Sequence, residues 1–405
     1  MALHNTAIRY GAVTKFFHWF IALLVITLIA LGLYASDLPF ETQAELGAKA
    51  WYFSLHKTLG VTVFLAALAR ISWALFQPRP GLLNADHRWE SWLAETTHWV
   101  LYGSLVIVPL AGWIAHAAAS GFAPIWWPFS QGLPFIPKST TVEHVFATLH
   151  EIAGKVLIGA VILHFLGAMK HHLIDRDATL RRMLPGTPAL GPLPVQHHSA
   201  APVLTATAAW AATIAVGLAL GLTDANADRS NTSAISSVPL ESVVSEWQVQ
   251  DGTIVLRVTP FGSPVEGSFA NWTSSISFDE SVETGKAGEV QTTVSIPSLA
   301  LGSVTSQALG ADFFNVTAFP TATFTADIMV GADGYTAQGK LTVKDLTMPV
   351  VLPFTLSLQK DTAQMHGTLT LDRRDFGVGE TVTDAGTLAF EVQLDIKVTA
   401  TRDPD

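Results

Sequence analysis

The sequence predicts a multi-domain chain: an N-terminal all-α membrane bundle of four helices plus a fifth membrane helix, then an all-β antiparallel barrel. Three observations predict it. The apolar residues, 49% of the 405, crowd ahead of about residue 223 in runs long enough to span a bilayer. Four histidines, His18, His56, His150 and His164, lie inside or at the mouths of those runs. From about residue 238 the texture changes to short alternating runs broken by Gly, Pro, Asp and Asn, the period-2 signature of half-buried strands. The expected domains are residues 1–186 for the four-helix bundle, 187–237 for a linker, the fifth helix and a tether, and 238–405 for the barrel.

Composition narrows the chemistry. Charged residues are 14% of the chain and the net charge is −10, which disfavours nucleic-acid binding. There is no cysteine, so disulfides, thiolate-held clusters and covalently attached c-type haem are excluded.

Five spans are expected, at roughly 16–35, 53–76, 97–119, 148–172 and 203–222. Arg9 and Lys15 precede the first; Arg70, Arg79 and Arg88 fall at or after the second; Lys170, Arg176, Arg181 and Arg182 follow the fourth. By the positive-inside rule these segments are cytoplasmic, and the acidic loop 36–52 and the Trp/Pro-rich loop 120–147, with IWWPF at 125–129, are periplasmic. The segment 175–202 contains PGTPALGPLP and reads as a linker. The fifth span, PVLTATAAWAATIAVGLALGL, must then exit to the periplasm and carry the barrel there. Ala225-Asn226-Ala227 follows it and has the pattern of a signal-peptidase site; the competing reading is an uncut anchor.

His150 and His164 are 14 residues apart in one span. At about 100° per residue this step falls roughly 40° short of four full turns, so both imidazoles face one side of a helix, about 21 Å apart. Histidine in hydrocarbon is costly unless partnered, and neutral imidazole is a good haem ligand. The span directions pair His18 with His164 near the cytoplasmic side and His56 with His150 near the periplasmic side, a plan for two stacked bis-histidine haems b. Gly60, Gly112, Gly154 and Gly167 lie inside these spans, where close approach of a porphyrin or another helix would explain them. Lys57 and Lys155 flank the periplasmic pair; they could neutralise propionates or attract a small anion, or simply snorkel to the interface.

Over roughly residues 6–186 the sequence resembles the bacterial cytochrome b561 family. The segments that carry the resemblance are TKFFHWF at 14–20, LHKTLG at 55–60, THWVLYGSLVIVPLAGW at 97–113, LHEIAGKV at 149–156 and LHFLGAMKHHLIDRDATLRRMLP at 163–185. The resemblance implies a four-helix dihaem cytochrome with His18, His56, His150 and His164 as axial ligands, exchanging electrons with the quinone pool. It also implies two narrower readings found within the family, oxidation of superoxide with reduction of ubiquinone, and service as the membrane partner of a larger dehydrogenase. His98 occupies a further matching position, where it would meet a haem propionate, a quinone carbonyl or water. His171 and His172 lie at the same side and would either relay protons to a quinone or cap a solvated helix end.

Over roughly residues 245–401 the sequence resembles the YceI-like family, carried by VEGSFANW at 265–272, DFFNVTAFPTATFTA at 312–326, GKLTVKDLTMPVVLP at 339–353 and DRRDFGVG at 372–379. That family is a lipocalin-like barrel that holds long isoprenoid chains, quinone tails among them. Pro260 and Pro264 stand where the pattern has a histidine-bearing strand and turn. Roughly eight strands are expected, closed into a barrel wide enough for one slender ligand. Phe269, Trp272, Phe313, Phe314, Phe319 and Phe324 are the candidate lipid contacts, with an ordinary filled core as the alternative. Asp372, Arg374 and Asp375 read as a structural turn or ion pair. The fusion implies a cytochrome whose barrel binds or presents an isoprenoid quinone. The alternative from another class is an isoprenoid carrier anchored by a redox-sensing cytochrome.

Overall fold

Residues of the computed structural model are described except 1, 40–42, 120–122, 130, 187, 189–193, 197–198, 237–239, 241–244, 263, 333 and 403–405, with backbone alone at 43, 227–236, 303 and 306. Two units emerge, one built mostly from residues 1–226 and one mostly from 227–405.

The first unit is helical: α1 (Ala12–Asp37), α2 (Gln43–Leu75), α3 (Arg88–Ala118), α4 (Thr140–Leu173), the short α5 (Thr179–Met183) and α6 (Ala201–Ser236). α1 to α4 and the Ala201–Asn226 part of α6 are long and apolar enough to cross a membrane, and the chain is a membrane protein. Each helix outruns the apolar stretch that announces it. α3 starts at Arg88 and α4 at Thr140, in polar first turns; α4 is capped by Ser139, which accepts a hydrogen bond from the Val142 N–H at 3.4 Å. α6 continues through Ala225, Asn226 and Ala227 to Ser236.

One core joins five helices: Ile21 and Val25 of α1, Val63 and Ala67 of α2, Leu105 and Val108 of α3, Ala153 and Leu157 of α4, and Trp210 of α6. Outside it, Phe16, Leu23, Leu33, Leu65 and Phe165 are exposed, the inside-out pattern suited to lipid. α6 is seated by small residues. A Cβ on Gly221 would come within 2.5 Å of Val145 Cα, and one on Gly217 within 2.7 Å of Leu149, so the GLALG stretch of α6 lies backbone-close against α4. Trp210 fits over Gly103 of α3, its indole N–H donating to the Val100 carbonyl at 3.3 Å. At one end, buried Arg182 ties three segments together, donating to the carbonyls of Gly81 and Ile8 at 2.8 Å each, with its charge over the Tyr10 ring. Lys170, at the end of α4, bridges Glu90 at 2.6 Å and Asp175 at 3.0 Å.

The second unit is an antiparallel sheet of ten strands: β1 (Trp247–Val258), β2 (Val265–Phe269), β3 (Trp272–Phe278), β4 (Gly285–Ser295), β5 (Leu299–Ala300), β6 (Thr321–Gly331), β7 (Gly334–Val343), β8 (Leu346–Gln359), β9 (Thr362–Asp372) and β10 (Glu391–Arg402). A short helix, α7 (Thr305–Leu309), precedes β6. The ladder order is β3-β4-β6-β7-β8-β9-β10-β1-β2-β5. β2 and β3 are consecutive in sequence but lie at opposite ends of that order, so the sheet curls back on itself, the lipocalin-like arrangement expected. Closure is not a continuous ladder among the described residues. It is made by bridges: the Ser245 hydroxyl accepts from the Ile276 N–H at 2.8 Å, and the Trp247 indole reaches the Phe278 carbonyl at 3.3 Å. Ten strands appear where eight were expected because VEGSFANW breaks at Ala270-Asn271 and Leu299-Ala300 adds a two-residue edge. Pro260 stays in the sheet through an isolated bridge to Leu388, and the chain turns at Phe261 and Gly262, both with positive φ.

Candidate haem sites

Antiparallel packing of four helices brings the histidines to two levels. At the first, His18 of α1 and His164 of α4 have ring centres 6.0 Å apart, and His98 of α3 lies 5.1 Å from His164. At the second, His56 of α2 and His150 of α4 are 6.2 Å apart. Two imidazoles sharing one metal through bonds of about 2 Å have ring centres about 6 Å apart. Both pairs match that separation.

The surroundings fit a flat, bulky group as well. His98 is exposed although it lies 5.1 Å from His164, so it borders open space as well as its neighbours. A Cβ on Gly60, Gly154 or Gly167 would meet nothing within 4 Å. Buried polar atoms wait for partners: Trp113 Nε1 and Trp127 Nε1 make no hydrogen bond, though the two rings sit 5.1 Å apart. These residues fit b-type haem, with His18, His164, His56 and His150 to hold it.

Second-level ring orientation is built into the backbone. His150 Nδ1 lies 2.8 Å from the Val108 carbonyl. A carbonyl only accepts, so Nδ1 carries the proton and Nε2 keeps its lone pair for a metal. The ring reaches that carbonyl because residue 112, one turn on, is glycine: a Cβ there would lie 2.8 Å from His150 Nδ1. His56 shares the glycine half of the device: a Cβ on Gly32 of α1 would lie 2.9 Å from its ring, while its buried Nδ1 makes no hydrogen bond among the described residues. Gly112 was legible as a close approach; Gly32 was not singled out, since a glycine in an apolar run gives no hint of a histidine on the next helix.

A polar chain lies beside the second level. Gln131 is fixed by the Ile125 backbone, accepting from its N–H at 2.7 Å and donating to its carbonyl at 3.1 Å. Its Oε1 therefore accepts from His116 Nε2 at 3.3 Å, which leaves His116 Nδ1 to accept from the Lys57 ammonium at 3.3 Å. Lys57 is thus held among protein groups. Lys155 points elsewhere, to an exposed ion pair with Glu151 at 2.7 Å. His116 and Gln131 carried no spacing signal in the sequence. His171 bonds Asp177 at 2.7 Å and Asp175 at 3.2 Å, near the helix end.

In the sheet unit, the candidate aromatics divide. Phe269, Trp272 and Phe314 share one core cluster with Ile254, Leu256 and Val265, and the Phe269 and Phe314 rings are 6.5 Å apart. Phe324 packs in another cluster, on Ala326, Ala337 and Leu352. Phe313 lies against Gly379, and Phe319 is half-buried in the loop before β6. Asp372 pairs with Arg374 at 2.5 Å, and that guanidinium holds its carboxyl below the usual carboxylate range. Arg373 between them, unmarked in the sequence reading, is 4% exposed and donates to the carbonyls of Val378, Gly379, Val382, Leu388 and Ala389.

Comparison with known proteins agrees with both units. The model of the prokaryotic cytochrome b561 family matches residues 9–186, and that of the YceI-like domain matches residues 240–400. The cytochrome b561 homolog 2 of Escherichia coli (strain K12) is 28% identical over 187 residues, 45% of this chain and 95% of its own. The probable superoxide oxidase CybB of Yersinia pestis is 26% identical over 178 residues, 44% of this chain and 96% of its own. Among solved structures, BcnA of Burkholderia cenocepacia is 31% identical, with a TM-score of 0.34, over 37% of this chain and 96% of its own. The chain therefore joins a cytochrome b561 domain, of the family that carries b-type haem, to a domain of the YceI-like family.

Proposed function

We propose that this protein is a membrane-bound dihaem b-type cytochrome that exchanges electrons with the isoprenoid quinone pool, its barrel binding an isoprenoid or quinone tail. The observation that carries the reading is the pair of histidine contacts, 6.0 Å and 6.2 Å between ring centres, at two levels of one bundle. On this reading the basic segments are cytoplasmic and the barrel is periplasmic in a bacterial inner membrane. Residues 1–186 are the electron-transfer domain, 187–237 the linker and fifth helix, and 238–405 the barrel.

Haem, when bound, supplies one-electron chemistry. The chain does the rest. His18 with His164, and His56 with His150, would hold the haem. The Val108 carbonyl orients His150, and Gly32 and Gly112 make room for the two rings. The helices keep water from the path between levels, about 21 Å apart along α4. Outside the bundle, Phe16, Trp19, Phe20 and Leu23 of α1 form an apolar groove with Met183 and Pro185. It adjoins the His18 level and suits approach of a quinone from the bilayer.

The test is a haem count with ligand variants. The purified protein should carry two haems b per chain, reducible by ubiquinol or oxidisable by ubiquinone. His164→Ala should remove one α-band component and His150→Ala the other. If both substitutions abolish the same component, the two-level pairing is wrong. A second reading, oxidation of superoxide with reduction of quinone, is favoured by the likeness to the Yersinia pestis protein and by Lys57 near His56. Superoxide decay no faster than spontaneous dismutation, with oxidised quinone present, would exclude it.

A further inference from the structure

Each of α1 to α4 carries a marked residue at each level, and the step between them is the same. His164 follows His150 by 14 residues on α4. Gly32 follows His18 by 14 on α1, Gly112 follows His98 by 14 on α3, and Arg70 follows His56 by 14 on α2. A 14-residue step keeps two side chains within about 40° of one face. The second level therefore holds His56, His150 and the glycines Gly32 and Gly112 that press against their rings. By the same step the first level holds His18, His98, His164 and Arg70.

Arg70 is the odd member of this set. It stands where α2 would offer a fourth ring, and it brings a permanent cation instead. The 14-residue step from His56 puts it on the same face of α2, four turns on, at the level of His18, His98 and His164. It is half-buried, and its guanidinium lies 5.5 Å from the centre of the Tyr102 ring, one turn past His98. No carboxylate is paired with it among the described ion pairs. A cation at membrane depth is costly without a counter-charge. The haem that His18 and His164 would hold brings two carboxylates on its edge.

We propose that Arg70 anchors that carboxylate edge: it is a positioning residue of the first-level haem, pairing with a propionate and stabilising the reduced iron beside it. The proposal rests on the dihaem reading, and the two fail separately. Wild-type protein with fewer than two haems per chain overturns that reading, whereas the Arg70 variants are compared within protein that carries both.

The experiment is a spectroelectrochemical titration of detergent-purified Arg70→Gln and Arg70→Lys, with haem-to-protein ratios. The two α-band components are first assigned by His164→Ala and His150→Ala. In Arg70→Gln the component lost in His164→Ala should either disappear or titrate at a lower midpoint, because a fixed cation that favoured the reduced form is gone. Arg70→Lys keeps the charge and should restore that haem and most of its midpoint. The His56–His150 component reports folding in each variant and should not move. Unchanged midpoints and haem content in Arg70→Gln would overturn the proposal, as would a shift confined to the His56–His150 component. Loss of both haems in Arg70→Lys would also overturn it, since packing and not charge would then be the requirement.

Discussion

His56 and His150 are each seated against a glycine of a neighbouring helix, Gly32 and Gly112, and His150 adds a hydrogen bond from Nδ1 to the Val108 carbonyl. The hydrogen bond fixes the tautomer, and the missing side chain fixes the distance. Groups that orient a ligating histidine typically contribute about 10–100-fold in metal affinity. Gly112→Val places a branched side chain where even a Cβ would be 2.8 Å from His150 Nδ1. It should weaken second-level haem retention by about that factor and leave the His18–His164 component intact, read from haem-to-protein ratios and α-band spectra. An equal loss of both components would show that the glycine serves helix packing instead. The four paired histidines stood out in the sequence because histidine in an apolar run is rare and its spacing is readable within one helix. Gly32, Arg70 and His116 did not, because their partners lie on other helices and no linear pattern encodes the distance. Arg373 is the matching case in the sheet. Its neighbours Asp372, Arg374 and Asp375 form the visible charge motif, but Arg373 satisfies five loop carbonyls from a buried position. Arg373→Ala should destabilise the sheet unit by about 3–5 kcal/mol, the scale of removing one partner of a buried charged network. The measurement is loss of the β-sheet signal in thermal or denaturant unfolding. A change under about 1 kcal/mol would mean that those carbonyls find water as readily.

At the scale of elements, the fifth helix is where composition misleads. Its Ala and Thr content makes it a weak span on hydropathy, but small residues are what a membrane interface uses. With no hydrophobic drive between helices in lipid, close backbone approach supplies the attraction, and GLALG provides it against Val145 and Leu149 of α4. α6 is therefore a structural member of the bundle and more than a leash for the barrel. Gly221→Leu should force α6 off α4, at about 1–3 kcal/mol for overpacking. The check is the thermal midpoint of the haem absorbance in detergent, which should fall while the room-temperature spectrum stays as in wild type. An unchanged midpoint would mean that α6 is not coupled to the haem-bearing helices. Strands were easier to place than helix ends. Alternation survives in β1 and β8, whereas α3 and α4 begin in polar turns set by capping and ion pairs, and strand closure rests on Ser245 and Trp247, which lie outside the alternating runs.

At the scale of the molecule, the fusion matters through effective concentration. Residues 237–246 join the end of α6 to the start of β1. Ten residues reach at most about 35 Å when fully extended. So short a tether limits how far the barrel can move from the end of α6, and tethering converts a bimolecular encounter into a local one without any new contact. Two outcomes then separate the proposed quinone-presenting role from that of a lipid carrier on a cytochrome anchor. A variant ending at Ser236 keeps all four ligand histidines and all of α6, so it should retain both haems and their spectra. If the barrel holds the quinone for the cytochrome, this variant should co-purify with less quinone per haem and be reduced more slowly by quinol at low concentration, with the deficit vanishing as quinol is raised. Barrel separated from the full chain and carrying isoprenoid without a quinone head would favour the carrier instead. If truncation leaves both the quinone content and the rate unchanged, the barrel takes no part in electron transfer, and the cytochrome works from the bilayer through the groove beside His18 alone.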